Sequence, residues 1–125
     1  MEYLIGSIEE VEESEVKRPR SKGTYIKWLI TREQGSMKYA VRKFVIRPGG
    51  FISHHYHKYV ETLVFLKGEG EVCIKGEKRG VRKGDFAFIN SGVPHSIYNH
   101  SKEDLEFLCV ISYEEDMKIV EKEGC

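Results

Sequence analysis

Three histidines and one glutamate carry the chemical signal in this chain. His55, His57 and Glu61 lie within seven residues, and His95 follows after a series of glycine-punctuated segments. Three imidazoles and a carboxylate are the ligands a divalent transition metal takes. On a β-strand alternate residues share a face, so His55 and His57 point the same way, roughly 6.6 Å apart. Two imidazoles at that spacing can occupy adjacent positions on one ion. Glu61 on the same straight strand would lie about 13 Å beyond His57. Metal–ligand bonds are only about 2.0–2.2 Å. If both bind one ion, the chain must therefore reverse at Lys58-Tyr59-Val60. Glu61 then returns on the neighbouring strand with Leu63 and Phe65 on its face, and His95 arrives from a third strand. Such a site requires a closed or rolled sheet.

A helix would also bring His57 and Glu61 together, at i and i+4. The flanking residues oppose it. Gly49-Gly50 precedes, and Thr62-Leu63-Val64-Phe65 followed by Gly68-Glu69-Gly70 reads as strand and turn. Strands are expected at Thr24 to Ile30, Met37 to Arg47, 52–57, 61–67, 71–75, 78–82, 86–90, 95–99 and 105–113. Residues 1–8 are expected as an edge strand, and the tail from Glu114 as a helical turn or a frayed end. Many short strands with regular turn signals predict an all-β sandwich or barrel. The acidic run Glu9 to Glu15 and the basic run Lys17 to Lys22 read as a solvated loop.

Composition excludes several classes. With 125 residues the chain forms a single domain. Lys plus Arg and Asp plus Glu number 20 each, which argues against a nucleic-acid partner. No apolar run approaches the roughly 18–20 residues that span a membrane, and the N-terminus lacks the basic start of a signal peptide. Cys73, Cys109 and Cys125 are odd in number and lack CxxC spacing. They predict no disulfide scaffold and a cytoplasmic location. Abundant charge with only Gln34, Asn90 and Asn99 as side-chain amides is a thermophile's pattern.

Written as spacing, the first stretch is Gly49-x5-His55-x-His57-x3-Glu61-x6-Gly68. The second is Gly84-x5-Asn90-x-Gly92-x2-His95-x3-Asn99. This pair resembles the two signature motifs of the cupin family, departing only at Asn90, where the family usually has proline. The resemblance implies a double-stranded β-helix, or jelly-roll barrel, over residues 1–125, and dimerisation. It also implies that Glu61 can leave the metal and serve as a base.

Other residues receive weaker readings. Arg42 on the strand leading into the motif is read first as a structural salt bridge and second as an anchor for a substrate carboxylate or phosphate. Tyr59 either gates or caps the pocket. Leu63, Phe65 and Phe107 are expected to line it. Cys109 is expected to be an inert buried thiol, Trp28 a core residue, and His54 and His100 exposed or behind the ligands. Asn99 is assigned to turn geometry or hydrogen bonding. One divalent metal per chain is expected, with Mn or Fe favoured and Ni, Co, Zn or Cu compatible. An oxygenase or dioxygenase acting on a small organic molecule is the first functional expectation. A sugar or sugar-phosphate isomerase and a non-catalytic ligand-binding module are the alternatives.

Overall fold

The computed structural model describes all 125 residues. Ten strands follow in order: β1 (Glu13–Glu15), β2 (Ser21–Ile30), β3 (Tyr39–Tyr56), β4 (Glu61–Lys67), β5 (Glu69–Ile74), β6 (Glu77–Arg82), β7 (Phe86–Ile89), β8 (His95–Tyr98), β9 (Leu105–Ser112) and β10 (Val120–Glu121). Every pairing is antiparallel, and the strands wrap into a jelly-roll barrel in the spatial order β6-β5-β8-β3-β9-β4-β7.

The sequence predicts two strands broken at Pro48-Gly49-Gly50. The structure instead has one 18-residue strand, β3, that bends there. Its first half pairs with β9 and its second half with β8. The bend needs glycine. Gly49 has φ 80°, and a Cβ on Gly50 would lie 2.6 Å from the Lys22 carbonyl oxygen. One strand thereby feeds both walls of the barrel.

Asn99 locks this bend. Its backbone exchanges hydrogen bonds with the glycines, Gly49 N–H to Asn99 O and Asn99 N–H to Gly50 O. Its side-chain Nδ2 donates to the carbonyls of Ile46 (2.8 Å) and Glu103 (2.7 Å). Its Oδ1 accepts from the Ser101 amide and hydroxyl. The side chain is fully buried, so the hydrogen-bonding role expected of it is the role it has.

Alternation along the strands builds the core. In β9 the odd positions Leu105, Phe107, Cys109 and Ile111 are buried, and the residues between them are partly exposed. Glu61, Leu63 and Phe65 share the buried face of β4. Phe107 packs between Phe44 and Phe65, with ring centroids 5.2 and 5.4 Å away. Each such burial contributes roughly 1.5–3 kcal/mol.

Three local expectations are corrected. Residues 1–7 form no edge strand and stay exposed, and a short 3-10 turn follows at Ile8–Glu10. Met1 to Leu4 instead share a shallow surface groove with Ile30, Met37 and Tyr39 without pairing to a strand. The acidic run is not all loop, because Glu13–Glu15 pairs with β2. The tail forms no helical turn; it adds β10 to the edge of β3, opposite His55 and Tyr56. No helix is long and apolar enough to cross a membrane.

Replacing Asn99 by Ala strands two buried carbonyls, so it should cost about 2–3 kcal/mol. Urea unfolding of both proteins measures this, and a loss below about 0.5 kcal/mol would remove Asn99 as the lock of the bend.

Candidate metal centre

His55 ends the inward run of β3, and His95 opens β8 directly opposite it in register. A register shift between Ile52 and His55 breaks simple alternation, so that Ile52 and His55 both face the same cavity. His57 lies just past β3, its carbonyl held by the Gly92 amide at 2.8 Å. Glu61 begins β4. That strand does not lie beside β3, as expected from the sequence, but beside β9 and β7. Glu61 reaches the histidines across the barrel interior. The reversal at Lys58-Tyr59-Val60 is present, and closure of the sheet supplies the rest.

The three imidazoles present ligand nitrogens that all lie within 4.8 Å of one another. Each ring is fixed by its other nitrogen. Nδ1 donates to the Ser53 carbonyl in His55 (2.7 Å), to the Tyr59 carbonyl in His57 (2.8 Å) and to the Val93 carbonyl in His95 (2.9 Å). A carbonyl oxygen can only accept, so Nδ1 carries the proton. In a neutral ring Nε2 then offers a bare lone pair. Glu61 Oε1 lies 3.0 Å from His57 Nε2 and 3.2 Å from His95 Nε2. Lone pairs facing a carboxylate oxygen in a buried site repel. A positive charge between them turns the arrangement into an attraction, and backbone carbonyls behind ligand imidazoles are the usual support for a metal. The residues present therefore fit a divalent ion.

The other carboxylate oxygen has its own support. Cys109 Sγ–H donates to Glu61 Oε2 at 3.0 Å, and Arg42 Nη2 donates to Cys109 Sγ at 2.9 Å while lying 3.7 Å from Oε2. Burial raises the Cys109 thiol well above its ordinary range, so it remains a donor. Burial works against the Arg42 charge, but the adjacent Cys109 and Glu61 more than offset this and hold the guanidinium protonated. Burial also works against charge on Glu61. The His57 and His95 rings within hydrogen-bond distance of it, and the Arg42 guanidinium, outweigh this and hold its carboxyl well below the usual range. Burial and the neighbouring His95 push His55 down to about 3. Burial pushes Tyr59 up to about 12.

These groups open onto a cavity of about 280 Å³, and 11 of its 19 lining residues are hydrophobic. Arg42, Tyr59 and Phe107 line it. Tyr59 lies flat on His57, with centroids 3.6 Å apart, and so caps that ring. Leu63 and Phe65 do not line it; they face inward from β4, but core packing consumes them. Trp28 is not core. It is 46% exposed, forms part of the cavity wall and sits opposite Arg42 in the β2–β3 ladder, 5.3 Å from the guanidinium. His100 is exposed, whereas His54 is buried on the far side of β3 against Ser96. Cys109 is buried as expected but is not inert in structure, since it joins Arg42 to Glu61. The cross-strand pairs Arg42↔Cys109 and Leu63↔Cys109 create that link, and only inter-strand register reveals it.

An all-β jelly roll with a buried His triad and carboxylate defines a small cupin barrel. The Cupin domain family model matches residues 42–111. The chain belongs to that family. It is 40% identical over 65 residues to an oxalate-binding protein of Thermotoga maritima, a match covering 51% of this chain and 54% of that protein. A predicted oxalate decarboxylase from Thermotoga maritima superposes with TM-score 0.81 at 27% identity, covering 89% of this chain and all of that one. The polyketide cyclase RemF from Streptomyces resistomycificus has the same fold, with TM-score 0.90 at 22% identity, over 98% of this chain and 87% of that one.

The His55 environment predicts a pH dependence for the metal-free protein. The folded value near 3 lies below the ordinary 6.5, so between these the unfolded chain binds a proton that the folded one refuses. Stability is full above pH 6.5 and falls by up to about 1.4 kcal/mol per unit as pH drops toward 3. In urea titrations at pH 7, 5.5 and 4.5, His55→Gln should be flatter than wild type by that slope. Parallel curves would show that His55 is not the group responsible.

Proposed function

We propose that this cupin is a divalent-metal-dependent enzyme of oxygenase type acting on a small, largely apolar organic molecule. His55, His57, His95 and Glu61 hold one ion per chain in this reading, with Mn or Fe favoured by the carboxylate and by the absence of a thiolate. The observation that carries it is the set of three Nδ1-to-carbonyl hydrogen bonds, which aim Nε2 lone pairs at a buried carboxylate. Such an ion, when bound, supplies Lewis acidity and, as Fe or Mn, a route to dioxygen. The chain's own residues do the remaining work. Trp28, Phe44, Ile97 and Phe107 exclude water and receive an apolar body. Arg42 and the Cys109 thiol hold Glu61 charged. Glu61 lines the cavity and would be the residue placed to take a proton from a bound substrate.

A second reading is non-catalytic binding of a small dicarboxylate, and the likeness to the oxalate-binding protein supports it. The cavity favours the first. Its wall is mostly apolar, its other cations, Lys17 and Arg18, are exposed to solvent, and the Arg42 guanidinium is already engaged by Cys109 and Glu61.

Protein loaded anaerobically with Fe(II) or Mn(II) should carry about one ion per chain by elemental analysis, and His95→Ala should carry less than about a tenth of that. Exposed to planar enols and catechols, the loaded protein should consume oxygen. Oxalate binding without turnover, and no oxygen uptake with any such substrate, would replace the enzyme reading with the binding one.

A further inference from the structure

Cys73 and Cys125, 52 residues apart, are joined as a disulfide. Their distance along the chain explains why sequence spacing gave no sign of the pair. Cys73 is fully buried in β5, while Cys125 ends an exposed tail. The tail runs from the cavity to this bond. Met117 and Ile119 line the cavity. Val120 and Glu121 then pair with Tyr56 and His55, on the strand that carries the first ligand. The Lys122 amide donates to the His54 carbonyl at 3.1 Å, and Tyr98 Oη donates to the Cys125 carbonyl at 2.9 Å. Gly124 lies so close to the His54 ring that a Cβ there would sit 2.7 Å from Cδ2.

The opposite rim is tied to the same strap. The Arg20 amide donates to Glu121 Oε1 at 2.5 Å, and the preceding Lys17, Arg18 and Pro19 line the cavity. The strap thus forms one wall and holds a second. Its non-covalent attachment is a two-residue strand, the packing of Met117 on the core, a partly exposed Lys58–Asp116 ion pair and a few hydrogen bonds, a set small enough to open locally. Beyond the peptide link to β9, the sulfur–sulfur bond is its one covalent fastening to the barrel.

We propose that Cys73–Cys125 is a reversible redox clasp that fixes residues 114–125 over the cavity and so slows exchange of whatever the cavity holds. This rests on the metal-site reading for its functional consequence, but not for the clasp itself. The chemistry is thiol–disulfide exchange with an external dithiol. A thiolate of the dithiol attacks the exposed Cys125 sulfur, and the bond to Cys73 breaks. Cys73 leaves as a thiolate and takes a proton from water. The reagent's second thiolate then displaces Cys125, which also takes a proton. The protein gains two thiols, and the dithiol departs as its disulfide. The reverse reaction with a disulfide reagent closes the clasp.

The test begins with thiol counts after treatment with oxidised or reduced dithiothreitol. One thiol per unfolded chain is expected in the first state and three in the second. Amide hydrogen exchange across residues 117–124 should then be about tenfold faster in the reduced protein, and Cys125→Ser should be fast in both conditions. Because Cys73 is buried, the exposed Cys125 is the position to replace. Protein loaded with Zn(II) and lacking the clasp through Cys125→Ser should release the metal to a chelator at least about fivefold faster than disulfide-bonded wild type. Three thiols after oxidant treatment, or equal exchange in both states, would overturn the clasp. A clear exchange contrast with equal zinc release would overturn its control of the cavity. Failure to bind zinc at all would count against the metal site, while the exchange contrast still decides the clasp.

Discussion

Three imidazole N–H groups bound to three backbone carbonyls are the constraint on which this molecule's site depends. Each bond decides which nitrogen carries the proton and where the other one points. Together they aim lone pairs of His55, His57 and His95 into a space shared with the Glu61 carboxylate. Folding such groups together without a cation is unfavourable, because acceptor faces acceptor in a region shielded from water. Much of the barrel exists to enforce the arrangement. The Gly49-Gly50 bend sends one strand along both walls, Asn99 holds that bend, and the ladder from β3 to β8 sets His95 opposite His55.

Arg42 and Cys109 steady the carboxylate. Arg42 and Cys109 come from neighbouring strands, β3 and β9, and meet as a cross-strand pair. Their order, guanidinium to thiol to carboxylate, keeps Glu61 charged in spite of burial. Trp28 and Phe44 cover the Arg42 guanidinium, so its charge is directed at the site and away from solvent. The result is a charged centre in a mostly apolar cup.

Much of this was legible in the residue string. The period-two burial of β4 and β9, the turn glycines and the ligand spacing all act locally, and local signals survive in sequence. The positions that escaped depend on register between strands distant in the chain. Glu61 was expected beside β3, yet it crosses the barrel from between β7 and β9. Leu63 and Phe65 have the right parity for the cavity but are taken up by core packing. Trp28 looks like a core residue and stands at the cavity wall, because β2 covers the outer part of β3. His54 and His55 are adjacent and both buried, on opposite faces, because the strap from the C-terminus covers the far face.

The central claim is that one metal ion lies among these four side chains. Anomalous diffraction from crystals of manganese- or iron-loaded protein, collected on either side of the metal's absorption edge, tests it most directly. The account predicts a single peak per chain, about 2.0–2.2 Å from Nε2 of His55, His57 and His95 and from a Glu61 oxygen. A peak elsewhere, at the cysteine pair or on the surface, would contradict it, as would metal-saturated crystals with no peak at this position.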